Sequence, residues 1–133
     1  MKFIHPDIIL RLLTKAEGSE NSLKLFKRVE AGSEVVLTNE AAVIEVINIL
    51  ASNGFGLSPE EIRGKLTPIL TLEGLRLRHK RRIMLALDIW AKHKELDFID
   101  VLVIAYMERD DTKEIYSFNK KLDNLPQIKR IEP

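Results

Sequence analysis

The chain has no cysteine among its 133 residues, which excludes a disulfide framework and any thiolate metal site. Long apolar runs are missing too. The opening MKFIHPDIILRLL is interrupted by Lys2, His5, Asp7 and Arg11, well short of the roughly 20 apolar residues a membrane span requires. No small-residue cleavage signature accompanies it, so a soluble cytoplasmic protein is expected. Nor does one sign of charge dominate: 21 basic residues stand against 20 acidic ones, a net charge of +1. Long-range electrostatics therefore do not mark the molecule for nucleic acid. Internal repeats, low-complexity stretches and a defensible Ser-His-Asp constellation are absent as well.

What is present is an ordinary mixture, 45% hydrophobic and 31% charged. It implies one globular domain over residues 1–133, long enough to bury roughly two thirds of the surface of its unfolded chain. Short apolar runs alternate with amphipathic helical patterns. Lys2–Ile4 reads as a strand, and Pro6 suits the first turn of a helix carrying Ile8, Ile9, Leu12 and Leu13. The polar stretch Glu17–Ser22 breaks that pattern before Leu23, Phe26 and Val29 resume it, with Gly32 as a stop. Glu34–Leu37 reads as the next strand.

Thr38 or Asn39 can cap a helix whose stripe is Val43, Ile44, Ile47 and Leu50, with Glu45 off its centre. The segment Asn53–Gly56 breaks the chain. Ser58, Pro59 and Glu61 then spell a capping box. A strand around Leu72 or Leu75 follows, weakened on this reading by Gly74. Ile83, Met84, Leu87 and Trp90 form another apolar face, with Trp90 in the core. A helix begins near Asp97 and carries Val101, Leu102, Ile104 and Ala105, and strands at Ile115–Phe118 and Ile128–Ile131 complete the set. Strands separated by helices indicate a mainly parallel sheet of about five strands covered on both faces, a three-layer α/β/α sandwich.

In such a sheet ligands bind beyond the carboxyl ends of the strands. That rule singles out His5 and Asp7 after the first strand, Glu45 in the helix after the second, and Asn119 after Ile115–Phe118. Asp97 and Asp100 share one face near a helix start, where the dipole favours negative charge. Asp97 reads first as a helix cap, whereas Asp100, among Phe98, Val101 and Leu102, is the stronger functional candidate. Oxygen donors of this kind suit a hard divalent cation. The densest basic run, Arg76, Arg78, His79, Lys80, Arg81 and Arg82, reads as a solvated helix start or as an offset for phosphates.

Four segments in order resemble the PIN-domain family, and its bacterial VapC-like toxin branch in particular. They are KFIHPDIILRLL, AAVIEVINIL, LDFIDVLVIAY and IYSFNKKLDNLP, and the likeness covers nearly the whole chain. It implies a PIN-like fold and a metal-dependent endoribonuclease using Mg2+ or Mn2+ to activate water against RNA. Glu45 and Asp100 are its implied catalytic acids and metal ligands, with Asp97 a frequent companion; Asp7, two residues past His5, is a further candidate metal ligand from the first helical turn, though not at a family position. RNA, a cognate antitoxin and a second copy in a homodimer are the implied partners. Arg78, Lys80, Arg81 and Arg82 are the candidate RNA contacts. Two positions depart from the family pattern: His5 and Asn119 stand where it has aspartate. The alternative reading is a degenerate PIN domain that binds without cutting. Leu23, Leu25 and Phe26, or Ile62, Leu66 and Ile69, supply apolar surface either for partners or for the core.

Overall fold

The computed structural model describes residues 1–52 and 54–133, so Asn53 of the expected chain break lies outside the described residues. The described chain divides into two compact units, Met1–Lys80 and Arg81–Pro133.

In the first unit, β1 (Lys2–Phe3) leads into α1 (Pro6–Thr14), α2 (Ser19–Glu30), β2 (Val36–Leu37), α3 (Glu40–Ala51), α4 (Pro59–Leu70) and β3 (Leu75–Arg76). Pro6 opens α1, where its missing amide removes no helical bond, and Lys15 ends that helix in the left-handed conformation. α2 starts earlier than its apolar spacing indicates. Gly18 turns the chain at φ 88° and the helix opens at Ser19, inside the polar stretch. Its first turn is polar because only Ser22, Phe26 and Val29 of α2 are buried. Asn39, rather than Thr38, caps α3 by accepting the Ala42 amide at 2.9 Å. The buried stripe of α3 is Val43, Val46, Ile47 and Leu50, with Val46 in place of the expected Ile44. The capping box of α4 forms as its sequence dictates, Ser58 Oγ accepting from the Glu61 amide and Glu61 Oε1 from the Ser58 amide, both at 3.1 Å. Ile62, Leu66 and Ile69 belong to the core, as does Phe26, which leaves Leu23 as the exposed apolar residue of those two candidate patches.

The three strands pair in parallel in the order β1-β2-β3, with Lys2 opposite Val36 and Val36 opposite Leu75. Gly74 makes this register possible. Its amide donates to the Val29 carbonyl at 3.2 Å and its carbonyl accepts from the Val36 amide at 2.9 Å. A Cβ there would stand 2.4 Å from the Glu34 carbonyl oxygen and 2.6 Å from that of Val29. The glycine that weakens the strand by propensity is the residue that lets three backbones meet.

The second unit holds most of α5 (Lys80–Lys92), then α6 (Phe98–Arg109), β4 (Glu114–Tyr116), a 3-10 turn at Lys120–Asn124 and β5 (Lys129–Ile131). Trp90 is buried as expected, donating to the Leu96 carbonyl at 2.7 Å and packing edge-on to Phe98 with ring centroids 5.4 Å apart. β4 and β5 are also parallel, with Ile115 opposite Arg130. The architecture is thus α/β with parallel pairing throughout the five described strands, which form a three-stranded sheet and a two-stranded one. Strands of two or three residues offer few ladder bonds, so helices carry most of the buried apolar surface. No helix among the described residues is long and apolar enough to cross a membrane.

Gly74→Ala is expected to lower unfolding stability by about 1–3 kcal/mol, the usual cost of forcing extra volume into a packed site. Gly64→Ala, in the interior of α4 with nothing within 4 Å of the added carbon, is expected to raise it by up to about 1 kcal/mol through helix propensity. Urea denaturation of the two variants checks both signs.

Candidate functional site

Three of the residues singled out above meet in the second unit. Asp97 stands at the N-cap of α6 with extended backbone, and Asp100, one turn in, reaches back so that its Oδ2 accepts the Asp97 amide at 3.2 Å. Asn119 follows β4 and begins the 3-10 turn, its Oδ1 accepting the Lys121 amide at 3.2 Å. With that oxygen engaged, the amide orientation of Asn119 follows from its partners. Its Nδ2 donates toward Asp100 Oδ2 at 3.4 Å, a long hydrogen bond between residues 19 apart in sequence.

A side chain with no sequence signature organises the turn. Arg130, on β5, donates from Nε and Nη2 to the two oxygens of Asp123 at 2.9 and 3.1 Å, and from Nη1 to Glu132 at 2.8 Å and the Ser117 carbonyl at 3.1 Å. The hydrogen bond from Arg130 holds the Asp123 carboxyl below its ordinary range, and Asp123 in turn raises the guanidinium further above its own. KRIEP shows an arginine; only the register of β5 against β4 reveals what it grips.

In the first unit, His5 ends β1 and caps α1. Its Nδ1 lies 3.2 Å from the Asp7 amide and 3.1 Å from Asp7 Oδ1. A neutral Nδ1 accepts the amide, whereas an imidazolium donates to the carboxylate, so this nitrogen has a local partner in either form. Glu45 is solvent-exposed on α3, off the buried stripe. A cleft of about 480 Å³ lined by Phe3, Ile4, His5, Pro6, Asn39, Ala41 and Ala42 opens at the ends of β1 and β2, against the starts of α1 and α3. This is the position that parallel α/β topology reserves for ligands. A second cavity, about 420 Å³, lies by Met107, Glu108 and Asp111 at the far end of α6 from Asp97 and Asp100.

The basic run is divided in its duties. Lys80 donates to the Leu75 carbonyl at 3.0 Å, and burial, with Arg76 nearby, lowers its ammonium below the ordinary lysine range. Arg82 lies over the Tyr106 ring, 4.5 Å from its centroid, with Asp110 at 3.9 Å. Arg78 and Arg81 face solvent.

Carboxylate oxygens are the right kind of donor for magnesium or manganese, yet the groups present do not fit such an ion as they stand. Within neither unit do three or more His, Asp or Glu side chains among the described residues form a metal-holding group. Asn119 turns a nitrogen donor toward Asp100, and its oxygen serves a backbone amide, so it does not supply a neutral ligand.

The family model for the PIN domain matches residues 7–128. The crystal structure of VapC20 from Mycobacterium tuberculosis, described as a sarcin-ricin loop cleaving toxin, is similar at 15% identity with a TM-score of 0.39, covering 100% of each chain. No curated protein matches the chain.

Because the folded-state pKa of Asp123 is depressed, its pairing with Arg130 stabilises the protein above the ordinary carboxylate range and is lost as pH falls through the lower folded value. Asp123→Asn is therefore expected to shift the urea midpoint downward at neutral pH, with the gap from the parent closing as the pH is lowered through that range. Midpoints measured from pH 7 to pH 2 check the sign; a gap that persists unchanged in acid contradicts it.

Proposed function

This chain belongs to the PIN-domain family, and we propose from that premise that it is an RNA-directed protein of the VapC-like toxin branch. It works as one domain over residues 1–133, in the cytoplasm, as a homodimer restrained by a cognate antitoxin. The reaction is hydrolysis of an RNA phosphodiester, dependent on Mg2+ or Mn2+. Glu45 and Asp100 are the hydrolytic carboxylates, with Asp7 and Asp97 as further metal-binding oxygens. Arg78 and Arg81, facing solvent, are the better candidates for phosphate contact, since Lys80 and Arg82 serve their own neighbours. The carrying observation is the meeting of Asp100 with Asn119 across 19 residues. It supports a common location for the third and fourth motifs.

His5 and Asn119 weaken this chemistry. A divalent cation is stabilised by the number and charge of its oxygen ligands, and these positions offer an imidazole and an amide. The same Asn119 contact therefore favours a second reading, a PIN domain that binds RNA or its partner without cutting, because Asp100 already has two N–H donors.

His5→Asp combined with Asn119→Asp discriminates the two. Completing the acidic set is expected to raise manganese affinity and single-stranded RNA cleavage at least about tenfold, with chelator abolishing the cleavage. Measurable metal-dependent cleavage by the parent supports the enzyme reading. A silent parent and an active double variant support the binding module, and a double variant equal to the parent refutes the claim that these two residues impair the site.

A further inference from the structure

Arg130 uses its guanidinium more fully than its stability value explains. Its side chain is 11% exposed, but the two carboxylates it grips, Asp123 and Glu132, are 54% and 49% exposed, and ion pairs with exposed partners contribute little to folding. What the fork does supply is geometry. Two parallel N–H donors fix the plane of the Asp123 carboxylate, while Nη1 holds the Ser117 carbonyl. These two anchors bracket Asn119. Between them, the Asn119 amide donates to Ser117 Oγ at 3.0 Å and the Lys121 amide donates to Asn119 Oδ1 at 3.2 Å. Backbone and side-chain oxygen are both held, which leaves Nδ2 directed at Asp100.

We infer that Arg130 is a positioning residue: by clamping Ser117 and Asp123 it aims the Asn119 amide at Asp100, so that an N–H donor partners this carboxylate where a nuclease would place a cation. The inference takes Asp100 and Asn119 as site positions from the proposed function. It adds that this corner is preorganised for a state without metal. A lysine at 130 would retain the charge and lose the fork, because an ammonium cannot match the carboxylate plane and the Ser117 carbonyl together.

The test is the side-chain amide signal of Asn119 in ¹⁵N-labelled full-length protein, assigned by its loss in Asn119→Asp. In Arg130→Lys the signal is expected to move to the position of an exposed asparagine such as Asn21, with exchange against water faster by about fivefold, the factor for one lost hydrogen bond. Asp100→Ala is expected to move it in the same direction. An Asn119 signal that stays in place in folded Arg130→Lys overturns the inference. Should Arg130→Lys fail to fold, Asp123→Asn, altered at an exposed carboxylate, gives the same two outcomes. Ribonuclease activity does not enter this readout, so a protein with no cleavage under any condition sinks the functional reading and leaves the contact standing.

Discussion

Backbone amides at the starts of helices have no partner inside the helix, and in this chain they claim the polar side chains that chemistry would otherwise use. His5 serves α1, Asn39 serves α3, and Asp100 folds back onto the amide before α6. Asn119 does the same for the 3-10 turn after β4. Within each unit parallel pairing brings helix starts beside strand ends, so capping and ligand binding compete there for the same residues. Each cap contributes on the order of 1 kcal/mol, enough to fix a side chain's direction. The direction then decides what else the side chain can do.

Much of this was legible along the chain, because caps and apolar stripes are local. Ser58 with Glu61 and Pro6 needed nothing beyond spacing, whereas the four ordered motifs were legible only through their resemblance to a known family. Spacing sufficed as well for Asp97 and Asp100, whose separation of three reads as a helix start, and there Asp100 does accept the Asp97 amide. Non-local features were hidden. The direction of Asn119 depends on Arg130, seven residues past Asp123, and on a β4–β5 register that no local pattern encodes. Gly74 looked like a flaw in a strand because the carbonyls of Val29 and Glu34, which require it, arrive from 40 and more residues earlier. The start of α2 was masked by a polar first turn that still faces solvent in the helix. Lys80 and Arg82 counted as free cations in a charge tally until the Leu75 carbonyl and the Tyr106 ring accounted for them.

On the proposed function, the departures at His5 and Asn119 from the family pattern act in the same sense. Each replaces a group that repels its acidic neighbour with one that can donate to it. Asp100 thereby gains a donor at 3.4 Å, and Asp7 gains one at 3.1 Å when His5 Nδ1 carries a proton instead of accepting the Asp7 amide, whereas an all-carboxylate arrangement would leave like charges to be balanced from outside. The proposed function and local electrostatics thus point to different states of each corner: the first to an ion-binding one, the second to one closed upon itself.

A single atom separates those states at the 3-10 turn. Hydrolytic loss of ammonia from the Asn119 side chain would turn a donor into a second carboxylate beside Asp100, exchanging a hydrogen bond for like-charge repulsion that a bound cation relieves. Chemical ageing at one amide would therefore rewrite the ionic demand of the molecule, so samples of different age would answer differently to the same divalent salt.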